Sequence, residues 1–249
     1  MGTQGVADQC APSHQGAQGT EYESAAINAL LLAGYDVVVT DYIGLGMQGP
    51  HAYMDRLDQG HAVLDATRAA RDACLGGTSA QTPVGIVGYS QGGGAAASAG
   101  ELAASYAPAL KVRAIAAGAV PADLHQVGAQ NDSGLYNGFL MYSLSGLIES
   151  EGISPASFLN PRGVQLYTET VGECTTSAIA PTALIPTSSL TASGRPSPRW
   201  PARSRSARSS TSSGWGGCLY GFRQAARATD DGAEGVVGSS YRVPSRSIA

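Results

Sequence analysis

The sequence predicts an α/β fold with a central, mostly parallel sheet. Short β-branched apolar runs alternate with segments of helical apolar spacing, and glycine-punctuated loops sit at the ends of those runs. The length of 249 residues suits one sizeable domain with a large core, and an apolar share of 43% is ordinary for a globular chain, so the front part need not be disordered.

The elements follow in order. Residues 23–34 have a helical apolar period that stops at Gly34, a C-terminal helix signal. Tyr35-Asp36-Val37-Val38-Val39-Thr40 is a β-branched run of the kind that fills a buried parallel strand, and the loop Asp41-Tyr42-Ile43-Gly44-Leu45-Gly46 follows at its carboxyl end. Ala62, Ala66, Ala69, Ala70 and Ala73 mark a second helix over 60–74. Residues 84–89 read as another buried strand, 92–106 as a helix with a very small-residue face, and 112–117 as a third strand. Strand, helix, strand at these lengths means crossover units and parallel pairing, with ligands beyond the carboxyl ends of the strands. The rhythm is lost over 123–174, where residues 135–148 form a plausible helix among Asn, Ser, Pro and Gly. An insertion there suits a substrate-covering lid, or simply more domain. The expected organisation is a core over 1–122, a lid- or cap-like segment over 123–174 and an aberrant tail over 175–249.

Charge and cysteine usage exclude several classes. A net charge of −4 gives no reason to expect nucleic acid. No run approaches eighteen apolar residues, so no transmembrane segment is expected, and Met1-Gly2-Thr3-Gln4-Gly5 is neither cationic nor apolar enough for a signal peptide. Cys10, Cys74, Cys174 and Cys218 lack the paired spacing of a zinc site, so no metal is expected; buried thiols and disulfides are both open on spacing alone.

The pentapeptide Gly88-Tyr89-Ser90-Gln91-Gly92 carries the chemistry. A serine hydroxyl is a weak nucleophile and must project toward a base and an oxyanion hole. A sharp strand-to-helix turn achieves this, but crowds the positions two before and two after the serine, hence glycine at 88 and 92. Ser90 then sits at a helix N-terminus, which favours developing negative charge, with the Gln91 N–H as one oxyanion donor. Glycine-rich chains produce G-x-S-x-G by chance, and a Gly-Ser turn without chemistry is the plainer alternative. The preceding apolar run and the following small-residue helix, with Gly93, Gly94 and Ala95 to Ala97, supply the context that favours an elbow.

VGIVGYSQGGGAAASAGELAASYAPAL (84–110) resembles the elbow of the secretory lipase family, whose members include fungal lipase A-type enzymes and actinobacterial proteins. GTQGVADQCAPS (2–13) resembles its N-terminal oxyanion loop and Cys-Ala-Pro-Ser turn, and DYIGLGMQGPHAYMDRLDQGHAVLDATRAAR (41–71) the loop and helix before the elbow strand. The resemblance implies an α/β-hydrolase: a serine carboxylic-ester hydrolase of triacylglycerol lipase or esterase type, with Ser90 as nucleophile, a lid, contact with a lipid interface, and export. The substrate implied is a lipid or small ester, and no cofactor is called for. It also implies a second oxyanion donor in Gly2-Thr3 and a bridge from Cys10 to Cys174, which needs an oxidising compartment.

The pattern then breaks. Hydrolase order is Ser, acid, His, yet no histidine follows His125, only thirty-five residues beyond Ser90. His51 and His61 read as loop and helix-face residues and His14 as a residue near the site mouth; Asp230 and Asp231 satisfy only the order. Residues 1–174 hold sixteen acidic and six basic side chains, whereas 175–249 hold three acidic side chains and nine arginines. A solvated basic tail is the ordinary explanation. With one lysine against fourteen arginines, the gene reads as GC-rich. Back-translated on that basis and shifted by one base, the Arg-Ser-Pro text becomes a mixed-charge stretch of helical spacing. The expectation is a single-base slip near Arg195-Pro196, with the tail out of frame from about 197 and the acid and base lost. The fold is thus expected to be truncated and its catalysis impaired. The start reads as clipped as well, with Met1 directly against the oxyanion loop. The rival expectations are a non-catalytic lipid-binding protein and a gene fragment.

Overall fold

The computed structural model describes residues 1–196 apart from Gln48 and Pro50; the tail from 197, with Cys218, Asp230 and Asp231, lies outside the described residues. In chain order the elements are α1 (Pro12–Ala17), α2 (Ser24–Leu32), α3 (Arg56–Asp72), β1 (Pro83–Tyr89), α4 (Gln91–Tyr106), β2 (Lys111–Gly118), α5 (Leu124–Asn131), α6 (Gly138–Glu151), α7 (Pro161–Val171) and α8 (Thr175–Thr182).

β1 and β2 pair in parallel, from Pro83 opposite Lys111 to Tyr89 opposite Gly118, with one irregularity between Val84 and Gly85. α4 is the crossover between them, and α3 packs on α4. Leu64, Val84, Ile86, Ala95, Ala96 and Ala99 are buried at the centre of this unit. Its helices approach closely because the contact residues are so small. A Cβ on Gly60 of α3 would lie 2.5 Å from Ser98 Oγ of α4, and one on Gly100 would lie 2.3 Å from Ile115 Cδ1 of β2. Asp55 starts α3 by accepting from the N–H groups of Leu57 (2.9 Å) and Asp58 (3.1 Å).

The helices expected around 23–34, 60–74 and 92–106 and the strands expected over 84–89 and 112–117 all form, with small boundary shifts. Two local features differ. Val37, Val38 and Val39 are buried as a β-branched run demands, and Val38 packs on Ala70, yet among the described residues the segment shows bridge pairing at Val37 and Val38 alone. Burial is specified by the run itself, whereas a ladder also needs a neighbour in register. α2 forms, but none of its residues is buried, and Leu32 is 89% exposed.

Residues after β2 are helical. Met141, Leu144, Leu159, Leu166, Tyr167 and Leu190 make a second apolar cluster. Asn160 caps α7 by accepting from Gly163 N–H (2.9 Å), and Asp123 caps α5 through His125 N–H (2.9 Å). This helical part is tied to the N-terminal loop. Cys10 and Cys174 form a disulfide with Cα atoms 5.3 Å apart. Gly5 and Cys174 make an antiparallel bridge, Thr175 N–H donates to Gln4 O (2.9 Å), and Thr175 Oγ1 donates to Thr3 O (2.7 Å). Cys74 is a free, exposed thiol.

Candidate active site

β1 runs straight into the turn at Ser90 and α4 begins at Gln91. Ser90 has φ 55° and ψ −117°, a conformation that a side chain adopts only under external constraint. The surroundings supply that constraint. Ser90 N–H donates to Gly118 O at the end of β2 (3.0 Å). A Cβ on Gly88 would lie 2.1 Å from Gly92 O, one on Gly92 2.7 Å from Met1 O, and one on Gly93 2.1 Å from Gly118 O. Three glycines therefore let strand, turn and helix close on one another. Gly93, read only as part of a small helix face, is as tightly packed as Gly88.

Gln91 occupies the first turn of α4, where backbone N–H groups lack helical acceptors, and its side chain is buried. The N-terminal loop lies beside it, since Gly92 abuts Met1. Gly2 N–H is already engaged, donating to Glu23 Oε2 (2.8 Å). Thr3 is held by its other groups: Oγ1 lies 2.7 Å from the Tyr53 hydroxyl, and its carbonyl accepts from Tyr22 (3.1 Å) and Thr175. Of the pair Gly2 and Thr3, Thr3 is the one whose N–H has no acceptor among the described residues.

Ser90 and Thr3 open into a cavity of about 740 Å³. Its walls are mainly apolar and come from the helical segment, with Leu124, Phe139, Leu140, Leu144 and Leu147 among them. Glu23 and His125 join Ser90 in the lining, together with the phenols of Tyr22, Tyr53, Tyr89 and Tyr136. The other histidines are occupied elsewhere. His14 Nδ1 lies 3.0 Å from Asp8 O, and His61 stacks on Tyr106 at 4.0 Å. His51 is buried, and burial lowers its pKa below the usual value, favouring the neutral ring. Burial likewise raises the Tyr53 phenol, so it stays protonated.

Sequence reasoning grouped Ser90, Gln91, Gly88, Gly92, Gly2 and Thr3, and the structure places them together. It missed three residues that hold Gln91 or Thr3. His51 Nε2 is 3.3 Å from Gln91 Nε2, and Tyr53 reaches Thr3. Gln59, with its amide turned so that its oxygen accepts from Met54 N–H (2.7 Å), donates to Gln91 O (3.3 Å). All three fall in the 41–71 segment, whose likeness to the region before the elbow was the one available signal. Among the described residues no group of three or more His, Cys, Asp and Glu could hold a metal, and no helix is long and apolar enough to cross a membrane.

Comparisons with known proteins bear on the family and the fold. The sequence model of the secretory lipase family matches residues 11–181. A secreted triacylglycerol lipase of Malassezia furfur is 29% identical over 167 residues, 62% of this chain and 42% of the relative. A probable inactive lipase of Mycobacterium tuberculosis is 38% identical over 106 residues, 42% of this chain and 23% of the relative. The crystal structure of Candida antarctica lipase A in its closed state superposes with a TM-score of 0.58 at 23% identity, covering 76% of this chain and 47% of that one. That likeness bears on the fold, an α/β architecture of the lipase kind in which the described residues supply a parallel strand pair and its helices. The chain spans less than half the length of the relatives it matches.

Proposed function

From the chain's membership of the secretory lipase family, we propose that it is built for serine-dependent hydrolysis of lipid or small carboxylic esters, and that its 249 residues perform this slowly. Ser90 Oγ would attack the ester carbonyl, and the tetrahedral oxyanion would be held by the N–H groups of Gln91 and Thr3. The alcohol would leave with a proton, and water would release the acid. The observation that carries this is Ser90, held at φ 55° between β1 and α4 and opening into an apolar cavity. The helices over 123–174 act as the cap that supplies the acyl-binding wall. Export is the matching location, since the Cys10–Cys174 bridge needs oxidising surroundings.

Slow turnover follows from the histidine inventory. None follows His125, so a base at the place the hydrolase order demands is missing from these residues, and the oxyanion hole and binding alone retain only a small part of the catalysis. A second proposal, a lipid-binding protein without turnover, is favoured by the same inventory and by the mycobacterial relative's name.

The test is reaction with an alkyl fluorophosphonate, read by mass spectrometry, alongside release of p-nitrophenol from an alkyl ester. The expected result is a phosphonyl adduct on the peptide bearing Ser90, absent in Ser90→Ala, with weak ester turnover. Retained binding of an alkyl ligand with no adduct supports the binder instead. Fast turnover lost in both Ser90→Ala and His125→Ala would refute impairment and make His125 the base.

A further inference from the structure

The residue after the nucleophile is gripped from its far side. Gln91 is 2% exposed, and its side-chain amide nitrogen lies 3.3 Å from His51 Nε2. His51 Nδ1 lies 2.9 Å from Ile43 O, an atom that can only accept, so the ring hydrogen belongs on Nδ1. Nε2 is then a lone pair aimed at the Gln91 amide. Two residues further along, the Tyr53 hydroxyl lies 2.7 Å from Thr3 Oγ1, with the two rings 6.1 Å apart and roughly edge to face. A single short segment therefore reaches both sides of the nucleophile.

We propose that residues 51–53 are a brace that sets the span of the oxyanion hole: neutral His51 fixes Gln91, and Tyr53 fixes Thr3. The inference rests on the esterase proposal for what the span is used for, but the brace itself is a matter of these contacts. His51 lies outside the cavity lining and acts as a positioning residue; Tyr53 lines the cavity and does its positioning through the hydroxyl that meets Thr3. The groups facing the imidazole are few. The Tyr42 ring lies 5.9 Å away and Tyr53 flanks the other side; behind the Tyr42 hydroxyl sits the Met1 amino nitrogen at 3.2 Å, its pKa lowered by burial, with Glu23 acting on both. Among the described residues no carboxylate is bonded to the ring; the Ile43 carbonyl favours an imidazolium, but burial outweighs it. Protonation would turn Nε2 into a donor facing a donor and release Gln91.

The experiment compares the full chain with Tyr53→Phe, His51→Phe and His51→Gln, the last keeping an acceptor within reach of Gln91. Each is titrated with an alkylboronic acid, which forms a tetrahedral adduct on serine, and with the alkyl alcohol of equal length, which does not. Tyr53→Phe and His51→Phe are expected to weaken boronate binding roughly 5- to 10-fold, the worth of one hydrogen bond, with alcohol binding unchanged and His51→Gln close to the parent. Equal losses for both ligands, or no loss in folded variants, overturn the brace. Nitrogen-15 NMR of His51 gives an independent reading that survives if His51→Phe fails to fold. The expected result is an Nδ1–H tautomer whose protonation on acidification shifts the Gln91 amide; an Nε2–H tautomer, or a Gln91 amide indifferent to that titration, overturns it. If the parent forms no tetrahedral boron on Ser90, the esterase proposal falls, while the NMR result still decides the brace.

Discussion

Gly88→Ala is expected to destabilise the folded protein by about 3 kcal/mol or more, the upper range for overpacking, and to remove fluorophosphonate labelling of Ser90. The added methyl would sit 2.1 Å from the Gly92 carbonyl oxygen and 2.4 Å from its carbon, and both are backbone atoms. A side chain could rotate away; a helix start cannot, because Gly94 N–H is bonded to Ser90 O and Ser90 N–H to Gly118 O. Relief must come from opening the turn, which displaces the hydroxyl, and a misplacement of roughly 1 Å can cost on the order of 100-fold in rate. Gly128→Ala is the control. It lies inside α5 with only Leu140 Cδ2 near, at 3.8 Å, and alanine there is expected to be neutral or to stabilise by roughly 0.5–1 kcal/mol. Urea unfolding of the two variants decides the matter: a Gly88→Ala protein within 1 kcal/mol of its parent would mean that the turn is not packed in this way.

Reduction of the Cys10–Cys174 bridge is expected to have an effect of similar size. The cysteines are 164 residues apart, and closing so long a loop in the unfolded chain is worth on the order of 4–5 kcal/mol in the chain-entropy account, with removal of native bridges typically costing 2–5. Part of the effect should reach the site. Cys174 is followed by Thr175, which holds both Gln4 and Thr3. Untying the bridge should therefore slow labelling of Ser90 under conditions where the protein is still folded. The check is a pair of thermal melts and labelling time courses, with and without reductant, on the parent and on Cys10→Ser. An unchanged melting temperature on reduction would contradict the prediction. A drop in Cys10→Ser that reductant deepens further would point to a different thiol.

What was legible in the sequence was local. The elbow could be read because its requirements fall within five consecutive residues, and α3, α4 and α6 because their apolar spacing is internal to each. The residues that steady the elbow could not, because their contacts join positions 40 and 50 apart in sequence, His51 to Gln91 and Thr3 to Tyr53. Nothing in a loop reading of residue 51 hints that its ring is buried. The Val37–Val39 run announced its burial but not how far it would pair. Gly2 matched the oxyanion loop in type, yet its N–H was already spoken for by Glu23, a partner that spacing does not reveal. Cysteine count alone left the pairing open, and the choice of Cys10 with Cys174 came from family likeness.

The close contact of α3, α4 and β2 has a wider consequence for how this protein tolerates change. At Gly93 the main chain of α4 nearly touches that of Gly118 at the end of β2, while Gly60 receives the side chains of Ser98 and Leu102 and Gly100 that of Ile115. Such seams add a second sensitivity to that of an ordinary core: one extra carbon at Gly60, Gly93 or Gly100 must displace a neighbour on the facing element. Drift in this region is confined to the smallest residue types, whatever the chemistry at the surface becomes.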